Sequence, residues 1–138
     1  ARDSLRDELV PINKRYPLAD LVQACADYLL KKNRRVSFEW AMIDGINDQP
    51  QDARELARLC KRLRPAAHVN LIPLNPTPGW PTKGTSPEGV REFARQLEDL
   101  GVNVTIRRNR GTDIDAACGQ LAAGQPIKLG ARRVVTAE

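Results

Sequence analysis

The chain has 138 residues, 41% hydrophobic and 28% charged, with a formal net charge of +5. This is the balance of one soluble globular domain, or of part of a larger one, and no run approaches the roughly 18 apolar residues that a membrane span needs. The excess of Lys and Arg is compatible with an anionic partner such as RNA, and equally with a solvated basic surface.

The opening ARDSLRDELV has no initiator Met and no signal-peptide pattern, and reads as the interior of a longer protein. In PLADLVQACADYLLKK, residues 17–32, apolar side chains recur at Leu18, Leu21, Val22, Cys25 and Leu29, which is helical spacing. Pro17 suits the first helical position. VSFEWAMI, residues 36–43, reads as a buried strand. The next helix starts with Asp48 or Gln49 as cap and Pro50 near its first position, and buries Leu56, Leu59, Cys60 and Leu63. HVNLIPL, residues 68–74, is the second strand, and the Pro- and Gly-rich loop after it is long enough to be functional or mobile. Ser86 and Pro87 open a helix whose Val90, Phe93, Leu97 and Leu100 face the core. VNVTIRR, residues 102–108, is the third strand; Thr112 and Asp115 have capping-box spacing for a last helix. The tail from Gly124 onward is basic and weakly patterned.

Strands alternating with helices predict parallel βαβ units, and three strands make about half of a barrel or one side of an open sheet. In such folds the site lies at the C-terminal ends of the strands. That rule puts Asn75, the arginines at 107, 108 and 110, and Cys118 on one face. Strand alternation sends Val36, Phe38, Trp40 and Met42 toward the helices, and Ser37, Glu39 and Ala41 to the other side. A Glu39 carboxylate placed there needs a partner, either a Lys or Arg ion pair or a ligand. The three cysteines, at 25, 60 and 118, are too sparse for a disulfide framework or a local metal motif, and fit a reducing cytoplasm. Cys25 and Cys60 fall on core stripes. Cys118 sits among small residues near a helix start, which leaves a reactive thiol and a buried one both open. Trp80 is read either as a base-stacking residue or as the anchor of its loop.

RDELVPIN, VSFEWAMIDGIND, HVNLIPLNPTPG and RGTDIDAACGQLA, in that order over residues 5–123, resemble the radical-SAM adenine-C2 methyltransferases of 23S rRNA and tRNA, the RlmN/Cfr family. The resemblance implies that residues 1–123 are the C-terminal part of a radical-SAM β/α barrel, followed by a basic tail over 124–138. It implies an enzyme that methylates C2 of adenine in 23S rRNA, with tRNA as a second substrate. Cys118 then matches the cysteine that carries the methyl group, and Asn75 an asparagine that binds S-adenosylmethionine. The implied cofactors are S-adenosylmethionine and a [4Fe-4S] cluster whose CxxxCxxC ligands are not in this chain. The expected setting is a cytoplasmic monomer served by an external electron donor, and the isolated fragment is expected to be inactive. The same motifs accompany modification at C8 of adenine; C2 is the expected product. Arg107, Arg108 and Arg110 are read either as phosphate contacts or as surface charge paired with Asp113 and Asp115.

Two other classes stand beside this one. One is a non-catalytic basic α/β module for RNA or a partner. The other is a thiol redox protein using Cys118, which would react with peroxide or disulfides without S-adenosylmethionine.

Overall fold

The apolar stripes of three helices and one face of three strands meet in one core. A computed structural model describes residues 1–32, 34–75 and 81–107. The order is α1 (Asp3–Leu9), a 3₁₀ turn (Pro11–Lys14), α2 (Leu18–Lys31), β1 (Val36–Met42), α3 (Pro50–Lys61), β2 (Ala67–Pro73), α4 (Pro87–Asp99) and β3 (Asn103–Ile106). The strands form one parallel sheet in the order β1-β2-β3, with Val36 opposite Ala67 and Leu71 opposite Ile106. This is the expected α/β alternation.

Local chemistry sets the helix starts. Ser86 Oγ accepts from the Gly89 N–H at 3.1 Å and caps α4, with Pro87 at its first position. The cap of α3 is Gln49, and the Asp52 carboxylate returns the bond by accepting from the Gln49 N–H at 3.2 Å. Pro17 lies one residue outside α2, as its cap, rather than in the first turn. The core contains Val22, Met42, Leu56, Cys60, Val69, Leu71, Val90, Phe93 and Leu97, all at most 2% exposed. Trp40 stacks on Phe93 at 6.3 Å between ring centroids. Leu21, expected on the apolar stripe, is 37% exposed; the stripe of α2 turns through Val22, Cys25, Ala26 and Leu29 instead.

No element is expected from the sequence over residues 1–14, yet they form α1 and the 3₁₀ turn around a buried Asn13. Its Oδ1 accepts from Arg6 Nη1 at 2.5 Å, and its Nδ2 donates to Asp3 Oδ1 at 2.9 Å and to Asp7 Oδ1 at 2.8 Å. Asp3 Oδ1 also accepts from the Leu18 N–H at 2.8 Å, so the box supplies an acceptor to the first turn of α2. The Leu18 N–H and then Asn13 hold the Asp3 carboxyl below its ordinary pKa. Residues of the RDELVPIN stretch thus have a structural use that periodicity does not reveal.

The expected helix over residues 112–123, the tail over 124–138, and Cys118, Trp80, Arg108 and Arg110 lie outside the described residues.

Candidate functional site

Helices pack on one side of the sheet. The other side carries a regular array of polar side chains and no helix among the described residues. Register and alternation put Ser37, His68 and Asn103 in its lowest row, then Glu39, Asn70 and Thr105, then Ala41 and Ile72. Arg107 continues that last row, its N–H donating to the Leu71 carbonyl at 2.8 Å. The expected parity of β1 holds: Ser37, Glu39 and Ala41 are exposed while Met42 is fully buried.

Glu39 has partners, and among the described residues none of them is a Lys or an Arg. Its Oε2 accepts from Asn70 Nδ2 at 2.8 Å and its Oε1 from Ser37 Oγ at 3.1 Å. Asn70 Oδ1 accepts from Thr105 Oγ1 at 3.1 Å, and Thr105 Oγ1 lies 3.1 Å from His68 Nε2. A hydroxyl has one proton, and Thr105 spends it on Asn70, so His68 Nε2 must be the donor. The proton of a neutral His68 therefore sits on Nε2, leaving its buried Nδ1 without a partner among the described residues. Every donor in this run of hydrogen bonds points toward Glu39. Each carboxylate oxygen keeps acceptor capacity for a group lying over the face.

The rim above the rows is tightly built. In the loop after β1, buried Asn47 accepts from the Ile43 N–H at 2.8 Å and donates to the Ala41 carbonyl at 2.7 Å, while Trp40 Nε1 donates to the Asn47 carbonyl at 3.3 Å. Asp48 accepts from the Gly45 N–H at 3.1 Å and from Thr85 Oγ1 at 2.9 Å. Gly84 forms an antiparallel bridge with Ile43. A Cβ at Gly84 would lie 2.4 Å from the Leu74 carbonyl oxygen, so only glycine permits this approach. Asn75, half-buried, follows two residues after the end of β2 and so stands at this rim, as expected.

Behind the sheet, Pro73, Thr85, Pro87, Val90, Arg91 and Ile106 line an open cleft of about 500 Å³. Pro73 and Ile106 pair with core-facing Met42 and Leu71, so this cleft lies on the helix side, not over the polar rows.

The described cysteines do not suit an iron–sulfur cluster. Cys60 is 2% exposed within the core and burial pushes its thiol up to about 11; Cys25 is partly buried on α2 and its thiol is also raised by burial. Among the described residues no group of His, Cys, Asp and Glu is placed to hold a metal ion. Nor, among them, is any helix long and apolar enough to cross a membrane.

The backbone arrangement of this parallel β/α sheet has a counterpart among solved structures. A crystal structure of a radical SAM methyltransferase from Sphaerobacter thermophilus aligns with a TM-score of 0.80 and 50% identity, over 86% of this chain and 34% of that one. No family model matches the chain. A protein of Desulforudis audaxviator described as a probable dual-specificity RNA methyltransferase RlmN is 53% identical over 119 residues, 86% of this chain and 37% of its own length. The dual-specificity RNA methyltransferase RlmN of Anaeromyxobacter dehalogenans is 49% identical over 121 residues, 88% of this chain and 32% of its own length. The chain belongs to the RlmN family of RNA methyltransferases, matches a C-terminal portion of these relatives, and spans about a third of their length.

Proposed function

We propose that this chain is the part of a radical SAM methyltransferase that presents a methyl-carrying thiol and one wall of the S-adenosylmethionine pocket, and that the whole enzyme methylates C2 of adenine in 23S rRNA, with tRNA as a second substrate. The observation that carries the reading is the delivery of the β2 and β3 ends to one rim. Asn75 leaves β2 there, and the segment bearing Cys118 continues from β3.

When bound, S-adenosylmethionine supplies the methyl group and, with a cluster held by cysteines outside this chain, the radical chemistry. The chain's own residues then have distinct tasks. The amide of Asn75 both donates and accepts, which suits a ligand bearing an ammonium and a carboxylate. Cys118 gives up its thiol proton, and the thiolate would take the methyl from the sulfonium of S-adenosylmethionine, whose S–CH3 bond breaks as S-adenosylhomocysteine leaves; the methylated sulfur then carries the group to the base. A carrier is needed because C2 of adenine is a poor nucleophile and cannot displace a methyl group directly. Sulfur accepts the methyl as thiolate, and a second thiolate attacking it would break the C–S bond to the base by forming a disulfide with Cys118. Arg107, Arg108 and Arg110 meet phosphates beside the target. A cytoplasmic monomer fed by an external electron donor completes the proposal.

The test uses the full-length protein. Cys118→Ala abolishes 2-methyladenine formation and leaves the cluster absorbance intact; continued product would remove the carrier role. Asn75→Ala weakens S-adenosylmethionine binding by about 1–3 kcal/mol, the cost of one lost polar contact. An unchanged dissociation constant would take Asn75 out of the pocket.

A further inference from the structure

We propose that the pole of the sheet opposite the site rim is a second RNA contact, one that holds phosphate backbone away from the target base. The proposal rests on the reading above that the substrate is RNA.

The strands are parallel, so α2 and α3 must return and end at the pole where the strands begin. There α2 finishes at Lys31 with Lys32 as its C-cap, and Arg34 and Arg35 lead into β1. Beside it α3 finishes at Lys61 with Arg62 as its C-cap. The Val36 N–H donates to the Ala66 carbonyl at 2.9 Å, and Val36 is paired with Ala67, so the two segments lie side by side. Adjacent strands are about 4.8 Å apart, which merges the two groups into one patch. All six cations are exposed, and none makes an ion pair or side-chain hydrogen bond among the described residues. The nearest acid on α2, Asp27, is engaged with Gln23 at 2.9 Å.

Helix ends account for only part of this charge. A cation in the last turn complements the helix dipole, which explains Lys31 and Lys61. Arg34 and Arg35 lie beyond the end of α2, outside that effect. The end of α4 shows what a capping cation does. Its last turn carries no basic residue, and Arg64 of the preceding connection donates to the carbonyls of Leu100 at 3.2 Å and Gly101 at 2.6 Å. The other six cations have no such engagement. Unneutralised, they repel one another; a phosphate backbone removes that repulsion and releases its counterions. At about 3.3 Å per residue, β1 sets the pole roughly 23 Å from the rim. RNA touching both must be folded and larger than the target loop.

The experiment compares full-length wild type with Arg34→Gln/Arg35→Gln and with a control, Arg54→Gln/Arg58→Gln, which removes the same charge from the exposed face of α3. The probes are a long transcript of the ribosomal RNA domain and a short hairpin carrying only the target loop. For the Arg34/Arg35 variant, Kd and KM for the long transcript rise about tenfold and the salt slope of binding falls by about 1.5, with kcat held. The defect shrinks on the hairpin, and the control stays near wild type. An unchanged Kd and slope, or an equal loss in the control, overturns the proposal and leaves the pole to a protein partner or to solvent. Wild type that methylates neither RNA overturns the functional reading itself.

Discussion

Cys60 shows what burial does to a reactive residue. Its thiol titrates near 11 instead of 9.0 because the core disfavours the thiolate. Between those values the folded protein holds a proton that the unfolded chain has lost, so stability falls as pH rises through this window. Wild type therefore loses thermal midpoint from pH 9 to pH 11 faster than Cys60→Ala, since alanine has nothing to titrate; parallel curves would contradict the burial. Cys60 is also inert to a thiol reagent at neutral pH until the protein unfolds. Its core position was legible from its place on the α3 stripe. The partners of Glu39 were not, because they depend on which residues of β2 lie opposite β1, and a single strand does not encode its register. Alternation gave its face, and only pairing supplied Asn70.

Among the elements, α3 and α4 were the most readable because cap, proline and apolar stripe agree within each. In α4 the Ser86 hydroxyl satisfies one of the N–H groups left over at the helix start. Ser86→Ala costs about 1 kcal/mol in denaturant unfolding of the full-length protein, and Ser86→Asp restores most of it. A loss confined to activity would mean that the hydroxyl serves the rim instead. The α1 hook was missed for the opposite reason. Its stability comes from three polar side chains, Asp3, Arg6 and Asp7, closing on Asn13, and the helix has no buried residue. Hydrophobic periodicity, the main signal in a sequence, is absent there. What remained was the short stretch RDELVPIN, whose use becomes visible only when its Arg6 and Asp7 are seen bonded to its Asn13.

At the scale of the molecule, helices pack on one face of the sheet and, among the described residues, none covers the other. The helix side holds the buried core of Met42, Val69 and Leu71, whereas Glu39, Asn70 and Thr105 bond to one another and present spare acceptors outward. About two thirds of the length of the relatives lies outside the matched portion, and on the function proposed above the cluster ligands come from there. The chain's own thiols cannot replace them. A [4Fe-4S] cluster requires several thiolates converging on one site. The chain has three cysteines, and Cys25 and Cys60 are committed to two different helices on the core side, away from the polar face. Moving Cys60, 2% exposed, out of its place would leave a cavity in the core. The 138-residue chain treated with iron and sulfide under anaerobic conditions therefore acquires no stoichiometric cluster absorbance, and the full-length protein does. A stoichiometric cluster on the chain alone would mean that its core cysteines leave their helices, and the fold described for α2 and α3 would have to be abandoned.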